Sequence, residues 1–140
     1  MTLWNPVYRV KVDGVTVTSA TLSGLTITSG RTDIYQQPIA GYCNLSLIET
    51  AEAAIPYEVN DAVTIEVQDS NGDYVNLFGG FITDLGITVQ TSGSTATSQQ
   101  IRIVAVGALA RLARAVYTGN FAHQFDGDRI EELLSGVLFD

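Results

Sequence analysis

Positive charge is scarce in this chain of 140 residues: Lys and Arg number 7 against 15 Asp and Glu, a formal net charge of −8. Affinity for nucleic acid comes mainly from neutralising phosphates, so specific DNA or RNA binding is not expected. Cysteine occurs once, at Cys43. That excludes an internal disulfide and a cysteine-based metal cluster. Cys43 lies in a strand-like run beside Tyr42 and reads as a small buried hydrophobe. Histidine also occurs once, at His123, among Phe121, Ala122 and Phe125. One imidazole cannot build a metal site by itself, and His123 reads as a surface or hydrogen-bonded residue and not as a general base. No apolar run approaches the roughly 18 residues of a membrane-spanning helix. The opening Met1-Thr2-Leu3-Trp4-Asn5-Pro6 lacks the basic start and apolar core of a secretory signal.

What the chain has in quantity is alternation. Hydrophobic residues make up 46% of it, and they recur mostly with period two, the spacing of a strand with one dry face. Residues 59–87 are the clearest case. Val63, Ile65 and Val67 alternate with Thr64, Glu66 and Gln68. Asp69-Ser70-Asn71-Gly72-Asp73 follows as a turn, with Asn71-Gly72 expected to supply positive φ. A long return strand begins at Tyr74. Gly79-Gly80 interrupts it, and paired glycines inside a strand predict a bulge or a sharp bend.

The remaining segments follow the same logic. Tyr8, Val10 and Val12 share one face of a first strand, and Asp13-Gly14 predicts a two-residue hairpin turn into residues 15–18. Residues 21–29 read as a strand. Residues 30–41 read as a polar connection, long for a compact domain and a candidate for contact with a partner. Cys43, Leu45 and Leu47 point inward from the next strand. Residues 91–98 form a polar, low-complexity hairpin tip, before a return strand with Ile101, Ile103 and Ala105 on one face. At Gly107 the period changes. Leu109, Leu112, Ala113 and Val116 predict one apolar helix face, with Arg111 and Arg114 to its side. Asp126-Gly127-Asp128 starts a second helix, striped by Ile130, Leu133, Leu134 and Val137. Asp128 and Glu131 have the spacing of a capping box. The expected fold is mainly β: one domain over residues 1–140, a small β-barrel or split barrel with one or two short C-terminal helices. The apolar end at Val137-Leu138-Phe139 fits docking on the barrel, contact with another subunit, or continuation into a longer parent.

Motifs that carry chemistry are few. Asp69-Ser70-Asn71-Gly72-Asp73 has the composition of a calcium loop but not its spaced acids or terminal bidentate Glu. Helix capping accounts for Asp126-Gly127-Asp128. Gly79-Gly80 is no phosphate loop, since no Lys-Ser/Thr follows. No catalytic residue, metal or cofactor is expected. Partner contact is assigned to Arg31, Asp33, Tyr35 and Gln36 in the first long connection, and to Ser94 and Thr95 at the hairpin tip.

Three blocks, taken in order, resemble the tail-hub and minor tail proteins of tailed bacteriophages. They are Gly30-Arg31-Thr32-Asp33-Ile34-Tyr35 through Tyr42-Cys43, Val59-Asn60-Asp61-Ala62-Val63 through Phe78-Gly79-Gly80-Phe81, and Ile101-Arg102-Ile103 through Gly107-Ala108-Leu109 with Asp126-Gly127 beyond. The shared layout is an acidic turn, a hairpin ending in a phenylalanine-glycine bend, then a strand running into Gly and a helix. The chain departs from the pattern in length, because related hub proteins often carry further domains. The resemblance implies a baseplate hub-like barrel, assembled as a homo-oligomeric ring in the virion tail. Its partners would be the tail tube and distal tail or fibre proteins, and DNA would pass through its lumen, where an acidic wall repels phosphate. An alternative is a carbohydrate- or receptor-binding β module using Tyr35, Tyr42, Tyr57, Tyr74 and Tyr117. A cell-wall hydrolase is disfavoured, since no acid pair or metal constellation is legible.

Overall fold

The computed structural model describes residues 6–31, 33–36, 39–50, 54–92, 96–114 and 125–138. Seven strands come first: β1 (Tyr8–Val12), β2 (Val15–Thr16), β3 (Thr21–Gly30), β4 (Ile39–Glu49), β5 (Ala62–Gln68), β6 (Tyr74–Ser92) and β7 (Ala96–Gly107). Two helices follow, α1 (Ala108–Arg114) and α2 (Asp126–Leu138). All strands join one antiparallel sheet in the order β2-β1-β5-β6-β7-β4-β3.

The alternating residues build the core as the period-two pattern requires. Val10, Val12, Cys43, Leu45, Leu47, Val63, Ile65, Ile101, Ile103 and Ala105 are all buried in one cluster, with Phe78 and Ile82 from β6. At Asp13-Gly14 both turn residues have positive φ, 49° and 75°, and Val12 faces Val15 across the turn. In the loop between β5 and β6 only Gly72, at 93°, has positive φ. This turn is closed instead by Asp69, whose Oδ1 accepts hydrogen bonds from the amides of Asn71 (2.8 Å) and Asp73 (2.9 Å). The side chain does the work that a left-handed Asn71 was expected to do.

β6 organises the sheet. Nineteen residues of straight strand would span about 60 Å, more than a domain of this size is wide. Its first part pairs with β5, from Gln68 opposite Tyr74 to Ala62 opposite Phe81. Its second part pairs with β7, from Gly107 opposite Gly80 to Ala96 opposite Ser92. The two ladders overlap only at Gly80 and Phe81. Extra residues on β6 break the register on either side of this overlap: Leu77 against β5 and Thr83 against β7. Such bulges bend a strand and let it pass from one half of a sheet to the other. The half containing β1 and β5 and the half containing β7, β4 and β3 thereby enclose one core.

The expected bend at Gly79-Gly80 is therefore present; of the expected small barrel or split barrel, a closed barrel is not. Among the described residues no ladder joins β2 to β3, so the sheet is open. The physical reason is local. β2 is only two residues long, too short to receive β3 along its length, and the two ladders on β6 are offset along the strand instead of stacked in register. Closing a barrel needs a consistent stagger around the full circle.

The helices depart from the sequence pattern too. α1 has no buried residue; Leu109 is 44% exposed and Ala113 is exposed, while Ala108, Ala110 and Leu112 are half-buried. α1 lies over β4, β6 and β7, and α2 packs on α1. On α2 Leu133 and Leu134 are half-buried but Ile130 is exposed. Asp128 does not cap this helix. The helix already begins at Asp126, and the Arg129 amide donates to the Phe125 carbonyl at 3.1 Å. Asp126 and Asp128 thus sit in its first turn, at the positive end of the peptide dipoles.

Candidate functional site

Four of the six residues assigned to partner contact are described. Arg31, Asp33, Tyr35 and Gln36 lie in residues 31–38, between β3 and β4, and all four are exposed. The connection is shorter than read from sequence, because Ile39 and Ala40 already belong to β4 and Gly30 faces Ile39. Asp33 shapes it: its Oδ1 accepts from the Tyr35 amide (3.1 Å) and its carbonyl from the Gln36 amide (3.2 Å). The turn presents Ile34, 70% exposed, and Tyr35, 90% exposed. Two large apolar side chains on a tied turn form a contact point of low conformational entropy.

Ser94 and Thr95 lie outside the described residues. β4 and β7 are antiparallel, with Tyr42 opposite Val106 and Glu49 opposite Gln99. The turn carrying residues 33–36 therefore stands at the Gly107 end of the sheet, and the paired strand ends Ser92 and Ala96 stand at the other. These two ends are separated by the length of β4, about 35 Å.

The β6–β7 arm is longer than the sequence pattern implied. Thr91, Ser92, Ala96 and Thr97 are in strand and paired, not in a loose tip. Ile82 still bonds across to Asn60 and Asp61 through its carbonyl and amide; beyond it β6 pairs with β7 alone, so its other edge carries unpaired backbone groups among the described residues. Thr83 resets the alternation, so Leu85, Ile87 and Val89 continue the inner face. Ile87 is 50% and Val89 58% exposed. An unpaired edge beside exposed apolar side chains is a ready template for another strand. The sequence carried the signal: apolar residues fall three apart at Ile82 and Leu85, which breaks period two.

On the outer face of β1 and β5, Glu66 receives both cations of the first strand. Lys11 Nζ donates to Oε1 at 2.9 Å, and Arg9 pairs with Oε2. Arg9 lies directly opposite Glu66 in the register, with its guanidinium 3.8 Å from the centre of the Tyr74 ring. The bond from Lys11, with that from Arg9, holds the Glu66 carboxyl below the ordinary glutamate range. Alternation placed these residues outward, but the pairing of β1 with β5 on the edge away from β2 was not legible.

A cleft of about 360 Å³ opens by the first turn, lined by Val12, Asp13, Val15, Pro56, Tyr57 and Asp61 among others. Its two carboxylates are engaged with backbone: Asp13 Oδ1 accepts from the Ala62 amide (2.9 Å) and Asp61 Oδ2 from the Glu58 amide (2.7 Å). Burial pushes the Tyr57 phenol up, against a hydrogen bond with Ser19. No group of three or more His, Cys, Asp or Glu among the described residues is gathered for a metal ion. No helix among them is long and apolar enough to cross a membrane. His123 and Tyr117 lie outside the described residues.

No protein-family model and no characterised protein sequence matches this chain. Its fold is similar to that of the 43 kDa tail protein of prophage MuSo2 from Shewanella oneidensis, with a TM-score of 0.55 and 16% identity. The match covers 93% of this chain but 38% of that one. What is shared is the fold: nearly all of this chain corresponds to a minor part of a prophage tail protein.

Proposed function

We propose that this chain is a structural protein of a bacteriophage virion, a hub or ring component of the tail tip that joins the tail tube to distal tail or fibre proteins. The carrying observation is the fold it shares with a prophage tail protein over 93% of its length. The order of the three sequence blocks agrees. So do two surfaces suited to protein contact, one at each end of the sheet: the 31–38 turn and the unpaired β6 edge. A component that links two layers of an assembly needs separated contacts of this kind. The role is mechanical and not enzymatic, and needs no cofactor. The net charge of −8 suits a ring through which DNA slides without adhering.

Native mass spectrometry and negative-stain electron microscopy of the chain, alone and with its cognate tail-tube protein, test this reading. Closed rings, or a defined complex with the tube protein, are expected. A chain that stays monomeric and binds no tail protein at high concentration overturns it.

A further inference from the structure

A second, smaller cleft of about 240 Å³ lies where α1 crosses the bend of β6. Its floor is Phe81 and Val106, which face each other across the β6–β7 ladder. Arg111 and Arg114 of α1 form one wall, three residues apart and so on one side of the helix. Asn60 and Thr83 complete the rim. The Arg111 guanidinium stands 4.6 Å from the centre of the Phe81 ring. Contact through its face leaves the N–H groups at its edge available. Asn60 has a positive φ of 81°, and its amide donates to the Ile82 carbonyl at 2.8 Å, which fixes the rim against the bend.

The charge balance makes this cleft unusual. Of seven Lys and Arg, Arg9 and Lys11 are committed to Glu66. α1 packs against α2, which carries Asp126, Asp128, Glu131 and Glu132, yet neither Arg111 nor Arg114 makes an ion pair among the described residues. Two guanidinium groups with no ion pair among the described residues therefore face a half-apolar cleft on a chain with more than twice as many acids as bases.

We propose that this cleft is a docking site for a carboxylate side chain, with an apolar neighbour, on an acidic segment of a partner protein. Guanidinium edges match carboxylate geometry, and Phe81 and Val106 receive the apolar neighbour. The volume is below the roughly 300–1,000 Å³ of small-molecule sites, which suits one or two amino-acid side chains. Duplex DNA is disfavoured, because the net negative charge opposes a polyanion. The proposal stands on this cleft alone and not on the tail assignment.

The test is a titration of the full chain, followed by the arginine Nε–H resonances in ¹H–¹⁵N NMR. The probes are a capped peptide alternating glutamate with leucine, its glutamine counterpart, inorganic phosphate and a short DNA duplex. The glutamate peptide is expected to shift Arg111 and Arg114 saturably, and the glutamine peptide is not. The double variant Arg111→Gln, Arg114→Gln should bind the glutamate peptide about tenfold more weakly or worse, while Arg102→Gln, on the outer face of β7, leaves binding unchanged. Absence of a saturable shift overturns the proposal. So does an equal response to inorganic phosphate, tighter binding of the duplex, or an equal loss in Arg102→Gln. Should the double variant fail to fold, the resonances of the unaltered chain decide.

Discussion

A Cβ placed on Gly80 would lie 2.2 Å from the carbonyl oxygen of Val106 and 2.9 Å from the Phe78 ring. Gly80 is also where the β5 and β7 ladders overlap on β6, opposite Val63 on one side and Gly107 on the other. The close approach of backbone to backbone at this point is what lets the strand turn the corner. Gly79 is different: the nearest atom to its Cβ would be Asn76 Nδ2 at 3.9 Å.

The paired glycines should therefore respond in opposite ways. Gly80→Ala forces the backbone of β6 or β7 to move and is expected to cost about 3 kcal/mol or more, or to prevent folding. Gly79→Ala meets only an ordinary van der Waals contact with Asn76 and removes backbone freedom from the unfolded chain, so it should be neutral or stabilising by about 0.5 kcal/mol. Urea unfolding of the two variants measures the difference. Equal effects would mean that Gly80 is not the corner.

Cys43 reports on the integrity of the core. It is fully buried, and burial pushes its thiol up from 9.0 to about 11. The folded protein should resist a thiol reagent at pH 8, with modification only as fast as the chain opens. The raised value also sets a direction with pH. The unfolded thiol ionises above about pH 9 while the folded one stays neutral, so stability present below that pH is lost as pH rises toward 11. Cys43→Ala should flatten this alkaline loss in thermal melts across that range.

Glu66 sets the opposite limit. Its folded carboxyl is held below the ordinary glutamate range by Lys11 first and also by Arg9. The resulting stabilisation is present above about pH 4.5 and disappears as pH falls through the lowered value. Glu66→Gln removes it at every pH and leaves two cations facing each other. Melting temperatures of the variant should be lower than wild type at pH 7 and converge with it under acid conditions. Parallel curves would show that the pair contributes nothing measurable, the common outcome for exposed ion pairs.

The elements were legible in the sequence and their closure was not. Val10, Cys43, Leu45, Ile65 and Ile103 had to be buried because alternation leaves them no other face, and Gly107 marked the change to helical spacing. Neighbour order was hidden, since Arg9 meets Glu66 through pairing of β1 with β5, across 57 positions. Local alternation carries no record of such distant partners. The open sheet was hidden for a related reason. A barrel and an open bent sheet need the same inward residues, and the difference lies in the offset of two ladders along β6. The contact residues were assigned by loop length, which pointed to the turn that exposes Ile34 and Tyr35. Loop length carries no record of the end of the sheet at which a turn stands.

The outlying part of β6 separates folding from assembly. Ile87 and Val89 are half-exposed on an edge that β7 pairs on one side only. In an isolated subunit, Ile87→Lys with Val89→Lys should cost little, within about 1 kcal/mol, because neither residue is in the buried cluster. Lysine on an unpaired edge opposes addition of another strand. If this edge is an assembly surface, the double variant should melt close to wild type yet fail to form rings or a tail-protein complex in sedimentation velocity. The matching change at Tyr35→Ser, at the other end of the sheet, should remove a different contact and leave any ring joined through β6 intact. Rings that persist in the β6 variant would assign assembly to another surface, and a large loss of stability would show that the arm is part of the folding core.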